Sequence, residues 1–125
     1  MPVASAVHST ERFLVLTITD PYTIEDWRAA ILATFDNPVF QQRRALLVDR
    51  RGAPPASADF VGLMLQFFAE HRDRISIHTA IVAADDGGFG MARMTALRAE
   101  FESPGMNIRA FREYDSAVAW LIASR

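Results

Sequence analysis

At 125 residues, half of them hydrophobic, the chain has the size of one domain with a real core. Its formal net charge of −2 leaves no field to hold nucleic acid or an anionic membrane, and the absence of cysteine excludes disulfides, thiolate catalysis and cysteine-based zinc sites. All 13 Lys/Arg positions are arginine, so a Schiff-base lysine and a P-loop lysine are excluded too.

The arginines are dispersed, which fits arginine-favouring codon usage better than a built anion grip. The N-terminus, Met1–Glu11, lacks the basic start and apolar core of a signal peptide. No run approaches the roughly 20 apolar residues of a membrane helix. The expectation is a soluble cytoplasmic protein without stable membrane insertion.

In chain order, Val3-Ala4-Ser5-Ala6-Val7 alternates as a short edge strand does. Residues 13–19 are apolar at nearly every position, which suits a strand covered on both faces. Asp20-Pro21 ends it. Thr23, with Asp26 three residues on, reads as a helix N-cap and capping box. Ile24, Trp27, Ile31 and Phe35 follow at helical spacing, and Asn37-Pro38 stops that helix. Ala45–Asp49 is the next strand. After the loop Arg50–Ala56, a helix runs from Ser57 to about Arg72.

That helix carries Phe60, Val61, Leu63, Met64, Leu65, Phe67 and Phe68. They spread over about 200° of its circumference, roughly twice what a helix on a sheet needs. The surplus must bury against a neighbouring helix, a ligand or another subunit. The neighbouring helix is the plainest of these, and Phe60, Met64, Phe67 and Phe68 are the candidate interface residues if it is a subunit.

Thr79–Ala84 reads as a further buried strand, and Asp85-Asp86-Gly87-Gly88-Phe89-Gly90 as a flexible loop. Met91, Met94, Leu97 and Phe101 line the following helix, which Ser103-Pro104-Gly105 ends. Ile108–Arg112 is a last strand, and Asp115 caps a short C-terminal helix bearing Val118, Leu121 and Ile122. Strand–helix units of this length imply an α/β fold with a mostly parallel sheet of about five strands and four main helices. The first strand pairs antiparallel with the second. Residues 1–125 form a single domain, with no linker or low-complexity tract.

Candidate chemistry is sparse. Asp49 ends a parallel strand, where α/β proteins place functional groups. A receiver-type phospho-acceptor role fails for want of lysine, and anchoring the next loop is the simpler role. Arg50 and Arg51, beside Arg43 and Arg44, form the one basic cluster and could meet an anion or an acidic partner. Gly87, Gly88 and Gly90 precede a helix whose free amides attract anions, with Arg93 in its first turn. The run matches neither GxGxxG nor GxxxxGK[ST], and Asp85 and Asp86 repel phosphate. His8, His71 and His78 lack metal-ligand spacing, there is no GxSxG elbow, and Ser57 is best explained as an N-cap. The reading is no catalytic residue, no metal and no cofactor. Trp27 and Trp120 sit at apolar helix positions as core or interface aromatics.

The element order, the strand Ala45-Leu46-Leu47-Val48-Asp49, the segment Gly90-Met91-Ala92-Arg93-Met94 and the ending Phe111-Arg112-Glu113-Tyr114-Asp115-Ser116-Ala117-Val118-Ala119-Trp120-Leu121 carry a resemblance. The whole chain resembles the SpoIIAA-like group of bacterial proteins, relatives of the STAS domain, the fold of anti-sigma-factor antagonists. The resemblance implies a small interaction module without catalytic activity of its own, in a fold related to lipid-binding CRAL-TRIO domains. The family marks its switch with a phosphoserine in a DSSG motif at the start of a helix. Setting its G-x-G-x-x-L pattern on Phe60-Val61-Gly62-Leu63-Met64-Leu65 puts the acceptor on Ala58, which has no hydroxyl. Ser57 is then the only hydroxyl near that point, and the kinase-controlled switch does not transfer.

Two functional expectations follow. One is a non-enzymatic STAS-like module, a homodimer, that binds a protein partner or a small apolar ligand through the Phe-rich helix and the loops after Asp49 and Ala84. The other is a small-molecule sensor or minor enzyme, for a nucleotide, anion or lipid, using Asp49, Arg50 and the Gly87–Gly90 loop.

Overall fold

The computed structural model describes residues 3–7, 13–19, 22–43, 45–53, 57–71, 78–102 and 106–124. Among these residues five strands form one sheet in sequence order: β1 (Val3–Val7), β2 (Leu14–Ile18), β3 (Ala45–Asp49), β4 (His78–Val82) and β5 (Asn107–Phe111). β1 pairs antiparallel with β2, Ser5 opposite Leu16, and β2 to β5 are parallel. Five helices connect or follow them among the described residues: α1 (Ile24–Phe35), α2 (Pro38–Arg43), α3 (Ala58–Glu70), α4 (Asp86–Glu102) and α5 (Tyr114–Ala123).

The period-2 alternation of the strands divides the core into two layers. Leu14, Leu16, Ile18, Leu46, Val48 and Ile81 face α1, α3 and α4. Phe13, Ala45, Leu47, Ala80 and Val82 face α5, which covers β3 and β4. Three crossovers of one hand between strands laid down in order place their helices on the same face, and the last helix returns across the other.

Local chemistry sets most boundaries. The capping box at α1 is complete: Thr23 Oγ1 accepts from Asp26 N–H at 3.1 Å, and Asp26 Oδ2 accepts from Thr23 N–H at 3.0 Å. Ser57 caps α3 by accepting from Phe60 N–H at 3.1 Å. Pro38 ends nothing alone. It is the first residue of α2, with the Asn37 side chain accepting from Val39 N–H at 2.9 Å, so the stop signal is also a start. Asp115 is not the cap of α5. Glu113 holds that position without a side-chain bond, and Asp115 lies in the first turn, where its charge suits the helix dipole.

Two expectations about helices are corrected. The segment read as a flexible loop, Asp85–Gly90, is mostly helix, because α4 begins at Asp86. Asp85 accepts through its backbone carbonyl from Phe89 N–H and through Oδ1 from Gly88 N–H at 2.5 Å, so it nucleates the first turn. The face of α4 turned inward is also not the one expected. Gly88, Ala92, Thr95 and Ala99 are buried, while Met91 and Met94 are half-buried and Leu97 and Phe101 exposed. Small residues at that spacing let α4 lie close to the sheet. A Cβ added at Gly88 would stand 3.2 Å from Ala83 Cβ and 3.0 Å from Asp85 Oδ1.

The wide apolar arc of α3 is resolved inside the subunit except at Leu63, which is 40% exposed. Met64, Phe67 and Phe68 are buried, and Phe60 is packed against the core. The Trp27 ring of α1 meets Phe60, Phe67 and Phe68 edge-on at 5.3 to 6.2 Å between centroids. The surplus therefore faces a neighbouring helix.

Candidate functional site

The parallel strands end together, so the loops after β3, β4 and β5 gather along one edge of the sheet, where open α/β folds place their ligands. Alternation decides what reaches that edge from β3. Ala45, Leu47 and Asp49 point toward α5, and Arg50 continues the opposite series toward α1 and α3. The Arg50-Arg51 pair is thus two separate features.

Arg50 is buried. Its backbone N–H extends the β3–β4 ladder by donating to Val82 O at 2.8 Å. Its guanidinium lies 5.3 Å from the Tyr22 ring centroid and Nη1 donates to the Tyr22 hydroxyl; Tyr22 in turn meets Phe60 edge-on. Arg50 thereby ties the end of β3 to the entry of α1 and the start of α3.

Asp49 is buried on the other face, and Arg51 closes on it. Arg51 Nε donates to Oδ1 at 2.9 Å, Nη2 to Oδ2 at 2.8 Å, and its backbone N–H to Oδ1 at 3.1 Å. Burial pushes the Asp49 carboxyl up, while the Arg51 hydrogen bonds and charge pull it down, and the net displacement is downward. The carboxylate stays ionised and saturated by a fork of donors, which unfits it as a general base. Its bond to Asp49 also holds Arg51 above the usual guanidinium value.

The Arg51 guanidinium lies 4.9 Å from the ring centroid of Tyr114, the first residue of α5. Burial, and next the Asp49 charge, raise the Tyr114 phenol. A second arginine nearby has a looser pairing, with a carboxylate whose side chain is 93% exposed. Arg112 Nη1 is 2.8 Å from Asp86 Oδ1, and its guanidinium sits 4.4 Å from the Phe89 ring centroid. Arg51, Arg112, Glu113, Tyr114 and Asp115 line a recess of about 430 Å³ between these two clusters. Two cations and two anions line it, so its formal charge cancels.

Of the residues singled out in the sequence, Asp49 and Arg51 belong to this edge. Ser57 is exposed and spent on its cap. Gly87, Gly88 and Gly90 lie within α4 and do not line the recess; the Gly88 amide is already taken by the chain's own Asp85 carboxylate. Arg93 is exposed, about 140° around α4 from the buried Gly88. His71 is the C-cap of α3, its Nδ1 2.9 Å from Phe67 O, and His78 Nδ1 is 3.1 Å from Asn107 Nδ2. His8 and Arg44 lie outside the described residues. Among the described residues, no group of three or more His, Asp or Glu could hold a metal.

Sequence reading missed Tyr114, Arg112, Phe89 and Asp86. A signal was present. The rule that sent attention to the residues after β3 and β4 applies equally to Arg112-Glu113-Tyr114 after β5.

With this geometry in hand, the likeness to known proteins is one of fold. A crystal structure of an uncharacterized protein of the DUF3478 family with a SpoIIAA-like fold, from Shewanella loihica PV-4, superposes with a TM-score of 0.62 at 15% sequence identity. The match covers 95% of this chain and 91% of that one. No protein-family model matches the sequence, and no curated protein does. The fold is SpoIIAA-like, α/β and mostly parallel. No helix among the described residues is long and apolar enough to cross a membrane.

Proposed function

We propose that the chain is a non-enzymatic SpoIIAA-like module that binds a protein partner across the C-terminal edge of its parallel strands, around Arg51, Tyr114 and Arg112. One observation carries this reading. Two arginines there are each held by the chain's own carboxylate and each set against an aromatic ring. Arginine and tyrosine dominate binding energy at protein interfaces, and side chains ordered beforehand lose less entropy on binding. Asp49, the carboxylate at the end of β3, is saturated by the Arg51 fork and so is unfit to act on a substrate. The Ser57 hydroxyl is a helix cap, and Ala58 cannot accept phosphate, which supports a module without the phosphoserine switch.

Affinity purification with tagged protein in the source cells tests it. A partner recovered with the native chain should be lost with Arg51→Ala/Arg112→Ala and kept with the exposed-site variant Arg93→Ala. Equal recovery by all three would overturn the reading.

A second reading is a small polar ligand in the recess, whose volume lies in the range of ligand sites. Its charged lining argues against a fatty acid. A thermal-shift screen of nucleotides, inorganic phosphate and fatty acids separates the two: a ligand site responds to a polar molecule, a partner-binding edge to none.

A further inference from the structure

β1 is an edge strand. It pairs with β2 on one side and, among the described residues, with nothing on the other. Natural sheet edges are guarded by charge, proline or bulges. The opposite edge follows that rule: β5 carries the exposed Arg109 at its centre. β1 breaks it. Val3-Ala4-Ser5-Ala6-Val7 holds no charge and no proline, and it reads the same in both directions.

That symmetry is what a two-fold contact between identical strands requires. Antiparallel pairing about an axis at Ser5 sets Val3 against Val7, Ala4 against Ala6 and Ser5 against Ser5. No like charges meet, and Val3 and Val7 form an apolar cross-strand pair. The same operation on β5 would set Arg109 against Arg109. Apolar surface adjoins the β1 edge. Val7 is 41% exposed, and Leu32 on α1 is 39% exposed. Leu32 lies about 140° around the helix from Trp27, hence on the flank of α1 away from α3 and on the side of β1, which α1 touches.

We propose that a second copy of this chain docks on β1, antiparallel and centred on Ser5, so that the two sheets become one continuous sheet. The surface is separate from the Arg51–Arg112 edge, so this proposal stands apart from the partner reading. A five-residue edge buries less than the roughly 800 Å² per partner of a standard interface, so dissociation is expected at roughly 1 to 100 µM.

Sedimentation velocity of the intact protein from about 1 to 200 µM is the test. The native chain should pass from monomer to dimer mass. Ala4→Lys/Ala6→Lys sets lysine against lysine twice and should weaken the dimer at least about tenfold. Ala4→Lys/Ala6→Glu sets lysine against glutamate in the same register and should restore it. Ala4 and Ala6 are exposed, opposite Thr17 and Val15 in their own sheet, so both variants should keep the native circular dichroism. A native chain that stays monomeric overturns the proposal. So does a Lys/Lys dimer of native strength, or a Lys/Glu variant as weak as Lys/Lys. Loss of the dimer in Leu97→Ser/Phe101→Ser, with Lys/Lys unaffected, would assign association to α4 and overturn it equally.

Discussion

α3 and α4 lie side by side on the same face of the sheet, yet they dispose of their large apolar residues in opposite ways. α3 buries Val61, Met64, Leu65, Phe67 and Phe68; α4 leaves Leu97 58% and Phe101 82% exposed while burying Gly88, Ala92, Thr95 and Ala99. Position in the layer accounts for the difference. α3 has α1 on one flank and α4 on the other, so all of its wide apolar arc except Leu63, 40% exposed, finds neighbours. Among the described residues α4 is the last helix of the layer, flanked by α3, and its small inward residues bring it close to β4 and β5. Side-chain size along a helix thus reports how near it can approach the sheet as much as which side it buries.

The largest effect should come from the α3–α1 contact. Phe68→Ala empties a site against Trp27 and should cost about 3–5 kcal/mol in chemical denaturation. Phe101→Ser should stay within about 0.5 kcal/mol of the native chain. Comparable losses at the two positions would refute the contrast. Next in size, Ala99→Leu forces bulk beneath α4 and should destabilise by about 1–3 kcal/mol, although leucine is nearly as good a helix former as alanine.

Neither inward stripe carries a titratable group, so neither adds to the acid response, whereas Asp49 at the strand end does. The folded-state value of Asp49 is depressed, so its contribution is present above the unfolded value of about 3.9 and lost as pH falls through the lower folded value. Asp49→Asn should lower stability at neutral pH and flatten the decline below about pH 4. An unchanged acid limb in urea titrations would show that the Arg51 fork adds nothing.

The smallest effects separate two glycines of α4. A Cβ at Gly90 meets nothing within 4 Å, so Gly90→Ala should stabilise by about 0.5–1 kcal/mol through helix propensity. Gly88→Ala gains the same propensity but presses on Ala83 and on the Asp85 carboxylate that caps the turn, and it should be net destabilising in thermal melts. Equal shifts would mean that the close approach of α4 is not needed.

Much of the fold was legible because its signals are local. Strand alternation, the Thr23 capping box and the Ser57 cap depend on residues within a few positions of one another, and β3 lies where the apolar run placed it. The Asp85–Gly90 loop was misread because three glycines outweigh one capping carboxylate in a sequence window, whereas the folded chain weighs the Asp85 bonds and the fit against Ala83. The candidate site was half legible. Asp49 and Arg51 follow from the strand-end rule, which also reaches Arg112 and Asp86 singly but not their pairing, since the two lie 26 residues apart and meet only when β4 and β5 are neighbours.

Composition and periodicity were enough for an α/β domain with parallel strand–helix units, because burial demands a polar–apolar pattern that repeats with each element's own period. Three matters were left to the assembled molecule: the order of the strands, which helix stands at the end of the layer, and which side of the sheet each arginine after β3 serves. Each depends on contacts between segments far apart in the chain, and those contacts leave no mark in the spacing of neighbouring residues.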